Sequence, residues 1–203
     1  MPIIHIRDEF DGSGAWPGRT PNIGPAWVKY AQSGGWVSDP VVAGGYIRSA
    51  PGISAMCHCG RTRSSNLKIS YQCQFLGQSG RFDIASNMAV TSDSDNQYRL
   101  DFGMNGPDFL DGVVTRIFAG ANTFNLISSF PRGDPAHIWT VEWLIMNGRH
   151  QVRLDGVLHL DFTDPSPLPS GFIAVLAQGF SVSDDRMHRF EVQEFVNPIR
   201  CVV

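Results

Sequence analysis

The chain has 203 residues, 42% of them hydrophobic and only 17% charged, with 21 Gly, 13 Pro and a net charge of −3. No Lys/Arg cluster offers a phosphate backbone its counter-charge, and no segment nears the ~18 consecutive apolar residues of a membrane span, so neither nucleic acid nor a membrane is expected as a partner. Few charges, many aromatics and many turn formers predict a turn-rich all-β domain able to bury a sizeable core.

In chain order, Pro2 to Arg7 reads as a first strand, and Asp8 to Trp27 as a long loop dense in Gly and Pro. Short strands are expected at Trp27–Tyr30, Gly35–Val37, Val41–Ser49 and Ala55–Cys59. Leu67–Phe75 alternates most cleanly: Leu67, Ile69, Tyr71, Cys73 and Phe75 take one face, and Lys68, Ser70, Gln72 and Gln74 the other. Further strands are predicted at Arg81–Val90, Gln97–Met104, Gly112–Ala119, Thr123–Phe130, Phe172–Gln178 and His188–Val196. The apolar run Phe172-Ile-Ala-Val-Leu-Ala predicts a central strand buried on both faces, and no stretch reads as helix.

Ile138 to Phe162 organises the rest. Asn147-Gly148 and Asp155-Gly156, set between alternating apolar residues, predict a three-stranded meander. A two-residue turn at Asn147-Gly148 sets Trp143 opposite Val152 in the core and Glu142 opposite Arg153 outside, the latter as a cross-strand ion pair. Trp139, Val141, Trp143 and Ile145 share the core face. A two-residue loop at Asp155-Gly156 would expose Leu158, Leu160 and Phe162; a bulged three-residue hairpin with Gly156 left-handed is predicted instead, because a one-residue slip returns all three to the core. The expected core includes Trp139, Trp143, Tyr71 and Phe75.

Many short strands at roughly 8–12-residue spacing predict two packed antiparallel sheets, a jelly-roll β-sandwich spanning 1–203, with short extended tails at 1–7 and 198–203. The opening D-x-F-x-G (Asp8, Phe10, Gly12) and T-P-x-x-G-x-x-W (Thr20, Pro21, Gly24, Trp27) resemble the start of laminin-G-like, concanavalin-like jelly-roll domains of bacteriophage and bacterial surface proteins. So do the L-D-G of Leu154, Asp155 and Gly156 and the closing Phe190-x-Val192. The resemblance implies two antiparallel sheets, one curved, on a fold that hosts lectins, glycosidases, adhesins and virion proteins. Asn22 stands where that group more often has Asp, which weakens any cation role there.

Glycosidases resembling this fold carry Glu-x-Asp-x-x-Glu or a close variant. The four glutamates, Glu9, Glu142, Glu191 and Glu194, build no such pair: Glu142 stands alone, and Glu191 and Glu194 fall on opposite faces of one strand. The six histidines are scattered, and Gly77-Gln-Ser-Gly80 is a turn rather than a nucleophile elbow. Calcium is an open option at Ser92–Asn96 and Asp108–Asp111, against polar turns as the plainer reading; no other cofactor is expected. Cys57, Cys59, Cys73 and Cys201 read as reduced structural thiols, with zinc or a Cys59–Cys73 disulfide as alternatives. Trp16, Trp36 and Tyr46, in Gly-rich surroundings, are candidate glycan or partner contacts, against a plugging role at the sandwich ends.

The N-terminus has no basic segment before a long apolar run, so synthesis in a host cytoplasm is expected. These readings lead to a non-enzymatic virion structural protein of a tailed bacteriophage: a tail, fibre or capsid decoration subunit that contacts itself, as a homo-oligomer such as a trimer, and other virion proteins. The alternative is a lectin-like module for a cell-surface glycan, and a glycoside hydrolase ranks third.

Overall fold

The computed structural model describes residues 2–29, 41–48, 53–77, 80–89, 96–104, 108–119, 121–179 and 185–196. Its strands are β1 (Pro2–Asp8), β2 (Gly14–Ala15), β3 (Val28–Lys29), β4 (Val41–Val42), β5 (Ile47–Arg48), β6 (Ile53–Arg61), β7 (Leu67–Gln74), β8 (Gly80–Met88), β9 (Gln97–Met104), β10 (Phe109–Phe118), β11 (Ala121–Pro131), β12 (Trp139–Met146), β13 (Arg149–Leu154), β14 (Val157–Thr163), β15 (Phe172–Gly179) and β16 (Arg186–Phe195). No helix occurs among the described residues.

Two antiparallel sheets pack face to face. One runs β14-β13-β12-β7-β16; β1 pairs along the second half of β16, and β5-β4-β2 continue from its start. The other runs β11-β10-β9-β8-β15, with β6 beside β15, where the Thr62 N–H donates to Gly171 O at 2.9 Å. The first strand, Pro2–Asp8, is thus a ladder partner of β16, not an extended tail. The closing stretch 198–203 and the predicted strand Gly35–Val37 lie outside the described residues.

The alternation of β7 places Leu67, Ile69, Tyr71 and Cys73 inside, as predicted, with Phe75 buried beyond its end. Trp143 is fully buried between Ile69 and Val152, its cross-strand partners. Trp139 is half-buried against the same core. Ile173, Ala174, Val175 and Leu176 are all buried, so β15 is covered on both faces. Glu142 does sit opposite Arg153, but its carboxylate pairs with Lys68 on β7 instead.

The second hairpin departs from expectation. Asp155 and Gly156 form a two-residue turn with φ of 48° and 82°, and Leu154 faces Val157 directly. The register slips one residue later: Arg153 faces Leu158 and Val152 faces Leu160, leaving His159 as the bulge. Asp-Gly satisfies a tight turn that needs positive φ twice, so the extra residue is absorbed within the strand. Leu160 and Phe162 do reach the core, whereas Leu158, before the bulge, stays 45% exposed.

The same meander buries a histidine. His150 is fully enclosed, stacked on Phe162 at 4.7 Å and edge-on to Tyr98 at 4.3 Å. The Trp143 indole N–H donates to its Nδ1 at 3.3 Å, which holds that nitrogen unprotonated. Burial pushes its pKa down to about 4 from the ordinary 6.5. The unfolded chain therefore binds this proton first as pH falls. The stabilising contribution is whole above pH ~6.5 and lost on the way down to about pH 4, some 3 kcal/mol in all. Denaturant titrations across that range should show a slope that His150→Gln flattens; an unchanged slope would assign the acid sensitivity elsewhere.

Candidate active site

Alternation on the five-stranded sheet sends Phe82 and Ile84 of β8, Tyr98, Leu100 and Phe102 of β9, and Leu110 and Val114 of β10 into the core. Their neighbours must point the other way. Register then orders that outer face into rows. Arg81 faces Gly103, which faces Asp111; Asp83 faces Asp101, which faces Val113; Ala85 faces Arg99, which faces Thr115. On the far side of Asp83 stands Leu176 of β15.

Two carboxyl groups thus meet directly across adjacent strands, a placement that is destabilising unless their charge is relieved. Asp83 is only 3% exposed, while the Asp101 side chain, at 18%, is the more accessible. Burial, and then the neighbouring Asp101 charge, pushes the Asp83 carboxyl well above its usual range. Asp101 is also raised, by burial, against the opposing pull of Arg99 and Arg81. Opposed this closely and withdrawn from water, the two carboxyls favour sharing one proton, and the deeper Asp83 is the one pushed up more strongly. Arg81 Nε lies 3.4 Å from Asp83 Oδ1, and Arg99 Nε 3.8 Å from Asp101 Oδ1, so a guanidinium stands on either side of the pair.

Asp111 shares this face. It stands diagonally across β9 and β10 from Asp101, a relation that separates Cα atoms by ~7–8 Å, and Gly103 puts no side chain between Asp111 and Arg81. Beside the charged rows lies an apolar strip of Ala85, Met88, Ala174 and Leu176, with Phe172 packed on it. Two opposed carboxyls with a raised affinity for a proton, and a third carboxyl diagonal to them on the same face, have the parts of a general acid–base device.

The residues singled out from sequence lie elsewhere. Trp16 is fully buried, tilted against Trp27 at 5.2 Å, so as a surface contact it is corrected: the ring joins Trp27, itself packed on Phe190, in the core cluster. Tyr46 is half-buried beneath the Arg186 guanidinium, 4.5 Å from its ring, and edge-on to His188. Trp36 lies outside the described residues, as do Ser92–Asp95 of the first calcium stretch. Asn96 accepts the Ala119 N–H, and in the second stretch Asp111 turns into the row with Gly103. Among the described residues no three His, Cys, Asp or Glu side chains converge on a metal position. Asn22 donates to Asp11 through its amide nitrogen, at 3.2 Å. Cys57, Cys59 and Cys73 are buried and in no disulfide, which rules out the Cys59–Cys73 bridge; burial pushes the Cys59 and Cys73 thiols up, leaving them inert. Cys201 is outside the described residues.

All four glutamates lie off the five-stranded sheet. Glu142 pairs with Lys68, Glu9 with Arg189, Glu191 with Arg7 and Arg189, and Glu194 with His5. The carboxyls on this face are aspartates, which a search for glutamate pairs overlooks. The signal was Phe-Asp-Ile at 82–84 and Leu-Asp-Phe at 100–102: Asp is depleted in strands, and each of these is flanked by core residues.

No family model and no curated protein sequence matches the chain. Solved structures do. SCLam, a non-specific endo-β-1,3(4)-glucanase from family GH16, superposes with a TM-score of 0.67 at 14% identity, covering 95% of this chain and 91% of its own. The Bacillus licheniformis β-glucanase gives 0.63 at 14%, with 91% and 99% covered. The κ-carrageenase from Pseudoalteromonas carrageenovora gives 0.63 at 11%, with 97% and 96% covered. The fold is a concanavalin-like jelly roll. The expectation of a non-enzymatic bacteriophage virion subunit is corrected: the sandwich finds its counterparts among endo-glucanases and a carrageenase, and its outer face carries the acid pair that the glutamate count missed.

Proposed function

We propose that this chain is a glycoside hydrolase that uses aspartates. The observation that carries the reading is the Asp83–Asp101 pair, directly opposed on the outer face of the five-stranded sheet and holding a proton at pH values where an ordinary aspartate is ionised. The structural likeness to endo-glucanases and a carrageenase supports a polysaccharide as substrate.

Asp101 is the member that meets the substrate. The shared proton passes through it to the glycosidic oxygen as the bond to the anomeric carbon breaks. Asp111 takes a proton from the water that adds to that carbon. On this reading Asp101 and Asp111, diagonal neighbours with Cα atoms ~7–8 Å apart, flank that water, and the anomeric configuration inverts. Each turnover consumes one water and restores the proton to the pair after exchange with solvent. Asp83 and the two arginines position this chemistry: the buried carboxyl keeps the proton in place, and Arg81 and Arg99 stabilise the anion left when it departs.

Incubation with mixed-linkage β-glucan, β-1,3-glucan and sulfated galactan, followed by reducing-end assay and by NMR of the first anomer released, tests the reading. Release of reducing ends from one of these polymers, with inverted configuration, is expected. Retention would remove Asp111 from the base role, and no release from any polymer by a folded protein would overturn the proposal.

A further inference from the structure

A second polar pocket lies outside the acid pair, where β1 passes the end of β6. Its cavity is about 280 Å³, walled by Ile3, Ile4 and Val196 and floored by His5, Glu194, Arg61 and Arg63. Its order is built from below. Glu194 is only 4% exposed, and its Oε2 accepts the N–H groups of Arg63 (2.8 Å) and Ser64 (3.2 Å). Its Oε1 binds His5 Nδ1 at 2.7 Å, which fixes the imidazole. His5 Nε2, at the far side of the ring, is buried with no hydrogen-bond partner. Gly60, at φ +94°, packs against Pro25 beside that nitrogen: a Cβ there would meet Pro25 Cγ at 2.9 Å and lie 3.8 Å from His5 Nε2.

The charges of this pocket do not balance. Glu194 is fully engaged by His5 and two backbone amides, so it is not available to either arginine. No carboxylate among the described residues pairs with the guanidinium of Arg61 or Arg63. Arg61 is held over the Phe172 ring at 5.9 Å, a contact that orients it without neutralising it. Two guanidinium forks lining one pocket beside an immobilised imidazole supply planar, bidentate donors of the kind that recognise tetrahedral oxyanions.

We propose that this pocket binds a sulfate- or phosphate-type oxyanion, held by Arg61 and Arg63 with His5 as the fixed floor. The chemistry is shared by the free inorganic anion and by a sulfate ester on a polysaccharide chain. The inference does not rest on hydrolysis, and it is tested by binding alone. Isothermal titration calorimetry with sodium sulfate, inorganic phosphate, a sulfated galactan oligosaccharide and a neutral β-glucan oligosaccharide should give saturable binding of the anionic probes. The double variant Arg61→Gln/Arg63→Gln should weaken that binding by roughly tenfold or more for the two lost forks, whereas Arg153→Gln should leave it unchanged. Equal affinity for sulfate and for the sulfated oligosaccharide identifies a free anion as ligand; tighter binding of the oligosaccharide identifies a polymer-borne group. Running the same titration on Asp101→Asn separates this site from the acid pair, since binding there should persist. Absence of saturable binding by every anionic probe, or the same affinity in the double variant, would overturn the site.

Discussion

Asp101→Asn should lower the hydrolytic rate by about 10²–10⁴-fold while the protein stays folded, because a positioned proton donor contributes that much and an amide cannot supply the proton. The substitution keeps the shape of the side chain and removes a carboxyl from a crowded pair, so lost activity cannot be ascribed to a collapsed core. Asp83→Asn separates positioning from proton transfer. It should leave a measurable rate but alter the pH profile, since Asp83 holds the shared proton. Stability gives an independent readout. The folded Asp83 titrates above the 3.8 of a free Asp, so the fold has its full stability below about pH 4 and loses part of it as pH rises through the raised titration of the pair. Asp83→Asn should remove that loss, and denaturation midpoints measured from pH 4 to 8 should converge at the acid end and favour the variant at the alkaline end. A variant with wild-type rate at Asp101, or one less stable than wild type at pH 8 at Asp83, would return the pair to a purely structural role.

Asp8→Ala should destabilise the protein by about 3–5 kcal/mol, the scale for removing one member of a buried charge pair. Asp8 is fully buried. Its Oδ1 accepts the Phe10 N–H at 2.8 Å and Arg19 Nη2 at 2.8 Å; its Oδ2 accepts the Trp27 indole N–H at 2.7 Å and Arg19 Nε at 3.2 Å. Truncation leaves the Arg19 guanidinium, 17% exposed, without its carboxylate, and strands the Trp27 indole N–H at the base of the Trp16–Trp27–Phe190 cluster. The same carboxylate holds Phe10 at φ +53°, a left-handed conformation that a bulky side chain adopts only when its surroundings impose it. Asp8→Asn should fall between wild type and Asp8→Ala, because it keeps some of the acceptors and loses the charge. Urea denaturation at neutral pH measures all three. A loss below about 1 kcal/mol for Asp8→Ala would show that the loop is held by its apolar contacts alone.

This cluster also explains the opening motif. Asp8 binds Arg19 and Trp27; Gly24, at φ +113°, lies so close to β1 that a Cβ would meet His5 O at 2.9 Å. The D-x-F-x-G and T-P-x-x-G-x-x-W residues are therefore a staple that fastens the long first loop to the sandwich, and their chemistry is structural. Their spacing was legible in the sequence, whereas their partnership came from the chain folding back on itself.

By itself the sequence determined the local and periodic features. Period-2 alternation set the core face of β7 and the burial of Tyr71, Phe75 and Trp143, and Asn-Gly set the register that places Trp143 on Val152. Those features depend on residues within one strand or across one tight turn, where side-chain direction follows from backbone geometry alone. The tertiary structure decided whatever depended on distant partners. It moved the bulge of β14 to His159, because the turn was satisfied as it stood. It buried Trp16 against Trp27, a partner that no local pattern specifies. It brought Asp83 against Asp101 and set Asp111 diagonal to them, because the register between strands joined by a longer connection is fixed by the packing of both faces and not by a turn code. The alternation already turned Asp83 and Asp101 out of the core; only the register made them neighbours, and neighbouring carboxyls withdrawn from water share a proton.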